Sequence, residues 1–356
     1  MISLDELLLE AHQREASDLF IRANARPAMR IHGRIRTTDL DIITPDDARR
    51  IAYSKMSGRQ IEEFDRHHEM DLAFDLQGIC RIRCSIYNQR GTVALANRLI
   101  PMKIRTLEEL SMPPALVEFT KARNGLVLVT GPTGSGKSTT LAAMIDVLNE
   151  TRRVNIVTIE DPIEYVHPDK MAIVSQREIG IDTDSFQEAL RRVLRQAPDV
   201  IMIGEMRDIE TMNVALQAAE TGHLVFATVH TSSAAETLDR LSNMFQPHER
   251  PMLWLRLSVS LRGVVSQKLL PRADEKGRVA AIEVMVVTPT ITKMLEEGKS
   301  EDMYSQIRLA GQETYWGMQT MNQCLVRLVR AGVVTPEEAL SNAGSYTEMR
   351  QLLRRQ

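Results

Sequence analysis

Eight consecutive residues, Gly131-Pro132-Thr133-Gly134-Ser135-Gly136-Lys137-Ser138, have the types and spacing to hold a polyphosphate. The glycines let successive backbone N–H groups turn inward with no Cβ in the way, and a helix starting behind them offers the positive end of its dipole to an anion. Lys137 can then reach the β- and γ-phosphates, Ser138 can ligate Mg²⁺, and Thr133 and Thr139 complete the lining. The octet follows the apolar run Leu126–Thr130 and precedes Thr139–Ile145. Strand, turn and helix are the context this loop requires. A glycine-rich turn of no chemical use is the weaker alternative, because Gly-x4-Gly-Lys-Ser is a specific pattern. By itself the loop implies binding of a nucleoside triphosphate and nothing of its use.

Three further stretches fall at the predicted carboxyl ends of strands. Asn155–Tyr165 places Glu160, Asp161 and Glu164 in one turn. Hydrolysis needs a group that orients or deprotonates the attacking water, and Glu164 is the candidate. Ala197–Asp208 contains four apolar residues, Val200–Ile203, shortly before Glu205, the shape of a strand whose carboxylate holds Mg²⁺ through water. Arg207 and Asp208 are expected to pair with each other at the surface and are assigned no chemistry. In Ala219–Thr231, His223 and His230 bracket one apolar strand, with the hydroxyl of Thr231 following. Two histidines so placed suggest a sensor for the γ-phosphate or the attacking water.

These residues need a scaffold. From residue 115 onward apolar strands alternate with helices: Leu126–Thr130, Asn155–Ile159, Ala172–Ser175, Val200–Ile203 and Leu224–Val229 against Ser138–Asn149, Ser185–Arg195 and Ile209–Thr221. That order implies a parallel sheet covered on both faces, binding its ligand at the strand carboxyl ends. Beyond His248 the pattern becomes helical, with Leu253, Leu257 and Leu261 on one face and a single β-like run at Val279–Val287. Residues 1–100 read as a separate α+β module with an antiparallel sheet: an amphipathic first helix, two short strands turning near Pro27 and Gly33, helices at Thr44–Met56 and Gly58–Asp65, then two alternating runs. In the second run Arg81, Arg83 and Ser85 face away from Ile82, Cys84 and Ile86. On the strand pattern alone the arginines form a solvated face. Arg90 and Arg98 nearby make an anion-facing basic surface a fair competitor. The expected organisation is 1–100, a linker at 101–114, a phosphate-loop α/β core at 115–270 and a mainly helical region at 271–356.

A chain of 356 residues, 43% apolar and 26% charged, has the composition of a globular protein of two or three domains. Its net charge of -3 gives no global reason to bind nucleic acid or anionic lipid. Three cysteines, with Cys80 and Cys84 wrongly spaced for zinc, fit a reducing cytoplasm. Met1–Glu10 lacks the pattern of a signal peptide, and no run approaches the ~20 apolar residues that span a bilayer. Membrane association is therefore expected through a partner, without direct insertion.

The four stretches match the Walker A, Asp-box, Walker B and His-box motifs of the secretion ATPases, and over nearly its whole length the chain resembles the type IV pilus retraction ATPases of the twitching-motility PilT family. Ala16-Ser17-Asp18-Leu19, Gln267–Arg272 and Gly317–Met321 add to the match. The resemblance implies an N-terminal PAS-like domain, a RecA-like core and a C-terminal helical part. It also implies a homo-hexameric ring hydrolysing ATP with Mg²⁺ at the cytoplasmic side of the inner membrane, against a membrane-embedded pilus platform protein. It makes Glu164 the catalytic glutamate and Glu205 the Walker B acid, and it puts Arg81, Arg83 and Arg98 where family arginines approach the phosphates. Phe20, where retraction ATPases commonly carry His, is more like the PilU paralogues, and Glu296 replaces an arginine of a helical family motif at Ile291–Lys299. An accessory, PilU-like motor is thus one alternative. A RecA-like nucleic-acid motor is another, though 4% aromatic residues leave few stacking platforms. An ATP-responsive scaffold with little turnover is a third.

Overall fold

The computed structural model describes residues 3–31, 34–76, 78–101, 103–311 and 316–354. It divides into two compact units, residues 1–103 and 104–356. The turn expected at Gly33 and the linker residue Met102 lie outside the described residues.

The first unit contains α1 (Leu4–Gln13), β1 (Ala16–Arg22), β2 (Ala28–Ile31), β3 (Arg34–Thr37), α2 (Pro45–Tyr53), α3 (Gly58–His67), β4 (Glu69–Leu76), β5 (Cys80–Gln89) and β6 (Thr92–Pro101). Helix starts are written locally. Ser3 and Glu6 form a reciprocal capping box on α1, and the Thr44 hydroxyl accepts from Asp47 N–H at the start of α2. The strands form one antiparallel sheet in the order β3-β2-β1-β6-β5-β4. Two strands here escape the sequence pattern: β3, whose residues are all exposed, and β6, which carries Arg98. Cys80 and Cys84 are buried and unbridged, and burial pushes the Cys84 thiol up to about 12, so it is inert as a nucleophile.

The second unit runs α4 (Ala115–Lys121), β7 (Gly125–Thr130), α5 (Lys137–Thr151), β8 (Asn155–Glu160), β9 (Ile173–Glu178), α6 (Phe186–Val193), β10 (Val200–Ile203), α7 (Ile209–Glu220) and β11 (Leu224–Val229). It continues with α8 (Ala234–Met244), α9 (Arg250–Ser260), β12 (Leu261–Pro271), β13 (Arg278–Val286), α10 (Pro289–Glu296), α11 (Met303–Ala310), α12 (Met321–Arg330), α13 (Pro336–Ser341) and α14 (Tyr346–Arg354). Its seven-stranded sheet has the order β13-β12-β7-β11-β10-β8-β9, parallel except for β13. Alternation along β7 sends Leu126 and Leu128 into one core and Val127 and Val129 into another, so both faces are covered, as parallel strands require.

Three expectations are corrected here. Leu261 does not continue a helical face; it begins β12, which pairs in parallel with β7. The boundary drawn between 270 and 271 therefore falls inside a strand, and β12 and β13 extend the core sheet instead of opening a helical region. The strand expected at Ala172–Ser175 is β9, and it runs on through Gln176, Arg177 and Glu178. As an edge strand exposed on one side, β9 does not need the apolar run that marks a buried one.

Candidate active site at the carboxyl ends of the parallel strands

The phosphate loop leaves β7 at Thr130, whose hydroxyl donates to Ser266 Oγ of β12 at 2.8 Å. Gly131 follows in a conformation (φ 149°) closed to side chains, and a Cβ there would lie 2.4 Å from the Gln267 carbonyl oxygen. Gly136, left-handed at φ 91°, is the N-cap of α5 and leaves that helix start with no side-chain cap. Backbone N–H groups of the first turn are thus free of side-chain acceptors, the arrangement that receives an anion. Ser135 Oγ is buried with no hydrogen-bond partner among the described residues. An uncapped helix start and an orphaned hydroxyl inside the loop fit a phosphate group. Thr133 and Gly134 are exposed on the loop's outer side, and Ser138 is half-buried in the first turn of α5.

Gln267 locks this loop from β12. Its Nε2 donates to Ser135 O at 2.6 Å, and its Oε1 accepts from Thr140 Oγ1 at 2.8 Å. Lys137 is buried, and its Nζ donates to Gly131 O at 2.8 Å and Pro132 O at 3.2 Å. Burial pulls its ammonium below the ordinary lysine value, while the charges of Glu205 and Glu164 pull it back up. Those three side chains therefore share one electrostatic neighbourhood. Thr139 spends its hydroxyl on Tyr165 OH at 2.8 Å, so it tethers the next loop instead of lining the phosphate site.

The turn after β8 does not form a cluster of three like acids. Glu160 is buried, accepting from Thr158 Oγ1 at 2.6 Å and Gln176 Nε2 at 3.0 Å. Its burial pushes the carboxyl up to about 7 despite those hydrogen bonds. Asp161 and Glu164 are exposed.

Glu205, two residues past β10, is held between Arg207 Nη2 at 2.6 Å and His230 Nε2 at 3.0 Å. Burial works to raise its carboxyl, and the hydrogen bond from Arg207 and the charge of His230 outweigh it, leaving the value lowered. The expected Arg207–Asp208 pair is corrected: Asp208 caps α7, accepting from Thr211 N–H at 2.8 Å, and Arg207 belongs to Glu205. The Thr231 hydroxyl is likewise buried against Thr237 Oγ1 at 2.7 Å.

The two histidines lie at opposite ends of β11. His230 follows its carboxyl end. His223 precedes its amino end, with Nδ1 on Ala218 O at 2.9 Å and its carbonyl accepting from Gly125 at the start of β7. Seven residue steps at about 3.3 Å each separate them by ~23 Å. His223 is thus outside the group that the sheet gathers. That group is compact in topology: the neighbouring strands β7, β11, β10 and β8 lead in turn to Lys137, His230, Glu205 and Glu164.

In the first unit Arg81 and Arg83 share the outer face of β5, and Arg83 sits directly opposite Arg98 of β6. Arg98 Nε pairs with Asp18 Oδ1 at 3.1 Å, Arg30 Nε pairs with Asp18 Oδ2 at 3.1 Å, and Arg81 pairs with Asp75 at 3.5 Å. Arg83, Arg98, Asp18 and Arg30 thus form one row across four strands. Sequence reasoning did not find Asp18, Gln267, Thr140, Tyr165 or Gln176 as supports. For Gln267 a signal existed, since Ser266 and Gln267 interrupt an apolar strand and are both buried.

Residues 1–340 match the family described as Type II/IV secretion system protein. The chain belongs to that family. Among secretion-family proteins it is 44% identical over 342 residues to the type IV pilus retraction ATPase PilT of Pseudomonas aeruginosa, covering 96% of this chain and 98% of that one. It is 40% identical over 353 residues to the type IV pilus ATPase PilU of the same organism, covering 99% and 92%. The crystal structure of the pilus retraction motor PilT with bound ADP is 42% identical, superposes with a TM-score of 0.92, and is covered over its full length by 99% of this chain.

Proposed function

We propose that this secretion-family chain is a motor ATPase that hydrolyses MgATP to drive retraction of a type IV pilus. The observation that carries the reading is the convergence of Lys137, His230, Glu205 and Glu164 at the ends of four adjacent strands, beside a loop with an uncapped helix start and a buried, unpartnered Ser135 hydroxyl. The backbone from Gly131 to Ser138 and the Lys137 ammonium would bind the β- and γ-phosphates, and Ser138 with Glu205 would hold the Mg²⁺ that arrives with the nucleotide, which would offset phosphate charge. Glu164 takes a proton from water as its oxygen attacks the γ-phosphorus. The bond to the bridging oxygen breaks, and ADP and phosphate leave. His230, hydrogen-bonded to Glu205, links the metal-side carboxylate to β11. Arg81, Arg83 and Arg98 of the first unit are carried over from the family resemblance as candidate guanidinium donors, a group suited to developing phosphate charge.

A homo-hexameric ring, an inner-membrane platform protein as its partner and a cytoplasmic site of action at that membrane complete the reading. No helix among the described residues is long and apolar enough to cross a membrane. Phe20, lying under Arg30 at 5.6 Å, favours a second reading as an accessory PilU-type motor, and the identities above favour the first. The test is steady-state ATPase activity of Arg83→Ala and Arg98→Ala beside Arg90→Ala, with mass in solution measured with and without ATP. A loss of about 10³-fold or more in the first two, with Arg90→Ala near parental, supports the arginine assignment. Parental rates in all three return the arginines to a solvated face, and activity that requires DNA would replace the motor reading.

A further inference from the structure

Glu164 is the residue whose placement most needs explaining, because among the described residues no side-chain hydrogen bond holds its exposed carboxylate. Its own backbone N–H donates to the Glu160 carboxylate, and the rest of its position is set by the backbone on either side of it. Both sides are fastened from the edge strand β9. Ile163, just before it, donates its N–H to Glu178 Oε2 at 3.3 Å. Tyr165, just after it, accepts at its carbonyl from Gln176 Nε2 at 2.8 Å. The Gln176 amide also donates to Glu160 Oε1 at 3.0 Å and accepts from His167 N–H at 2.8 Å.

The register explains how one strand does this. Parallel pairing sets Gln176 beside Thr158 and Glu178 beside Glu160, so the last residues of β9 run level with the point where the chain leaves β8. Residues two apart on a strand share a face, so Gln176 and Glu178 reach the loop together. One amide uses both its donor and acceptor sides on three points of the eight-residue segment Glu160–His167, which contains no glycine. Glu178 is itself buried, where a carboxylate is kept only if its acceptor capacity is used.

We propose that Gln176 and Glu178 are positioning residues for Glu164, a two-point clamp from the sheet edge that fixes the glutamate-bearing loop against the phosphate loop. Neither touches the nucleotide. The clamp rests on the reading of Glu164 as the group that activates water, and it governs turnover without governing affinity, because the phosphate loop is held separately by Gln267.

The experiment uses the full chain with Gln176→Leu, Glu178→Leu, Glu178→Gln, Glu164→Gln and the double variant Glu164→Gln/Gln176→Leu. ATPase kcat and KM, affinity for a fluorescent ADP analogue and Tm are measured for each. Gln176→Leu and Glu178→Leu lower kcat about 10- to 100-fold, the cost of a misplacement near 1 Å, with KM and ADP affinity close to parental. Glu178→Gln keeps an oxygen that accepts from Ile163 N–H and restores most of the rate. The double variant is no slower than Glu164→Gln, since residues acting as one unit are not additive. A parental kcat in Gln176→Leu, an ADP affinity lost in step with kcat, or a further loss in the double variant overturns the clamp. Parental turnover in Glu164→Gln instead removes the reading of the site, and with it the clamp's object; a dead Glu164→Gln beside a fully active Gln176→Leu removes the clamp alone.

Discussion

The loop after β7 and the loop after β8 leave the same end of one sheet and are built by opposite means. The first has its shape in the backbone: Gly131 sits where a Cβ would collide with the Gln267 carbonyl, and Gly136 turns left-handed to start α5 uncapped. The second, from Asp161 to His167, has no glycine and is tied down by side chains from elsewhere, Gln176, Glu178 and Thr139. A backbone cradle is suited to a ligand group that is always the same, a polyphosphate. A carboxylate that must meet a water at one point needs a position adjustable one side chain at a time. Binding and turnover should therefore separate when each loop is damaged.

Among changes to these two loops the largest effect on turnover is expected from Glu164→Gln, which keeps the shape and loses the base: kcat falls by about 10²- to 10⁴-fold while ADP affinity is unchanged. Isothermal titration beside a coupled ATPase assay decides it, and normal turnover would make Glu164 a structural acid. Next comes Lys137→Ala, which takes the charge from the phosphates and lowers both nucleotide affinity and rate, the latter by ~10²- to 10³-fold. If only kcat changed, the division of labour between the loops would be wrong.

Glu160 gives a pH test of the second loop. Its folded value is raised from 4.5 to about 7, so its contribution to stability is complete below the unfolded value and is lost as pH rises through about 7. The stability change across that window is about 3 kcal/mol at most. Glu160→Gln should flatten the dependence of Tm on pH between those limits, and an unchanged slope would assign the effect to other groups. The smallest expected change is Gln267→Leu. It leaves Ser135 O and Thr140 Oγ1 without their buried partner and costs about 1–3 kcal/mol, read as a lower midpoint in urea and a weaker ADP affinity. Loss of turnover with ADP affinity intact would place Gln267 with the second loop.

What the sequence showed follows from the same contrast. The glycine spacing of the phosphate loop is a local property, as are the double-faced apolar strands that carry it, and Thr44 caps its helix by equally local chemistry. Arg81 and Arg83 fall on one face by strand alternation alone. The tether of the second loop was not legible, because Gln176 is an ordinary polar residue until pairing sets it beside its partners. His223 misled for a related reason: bracketing a strand means lying at both ends of it, and a parallel sheet uses its carboxyl end for the ligand. Likewise Leu261 continued a helical spacing, but pairing with β7 made it a strand.

Gln267 lies 132 residues beyond the Ser135 carbonyl that it holds. During synthesis at ~5–20 residues per second, the phosphate loop would wait on the order of ten seconds before its clamp is made. Any nascent chain or proteolytic fragment ending before β12 carries the complete glycine motif without the strand that sets its shape. In this molecule the motif is complete at Ser138 and becomes a working surface only after Gln267 has been made.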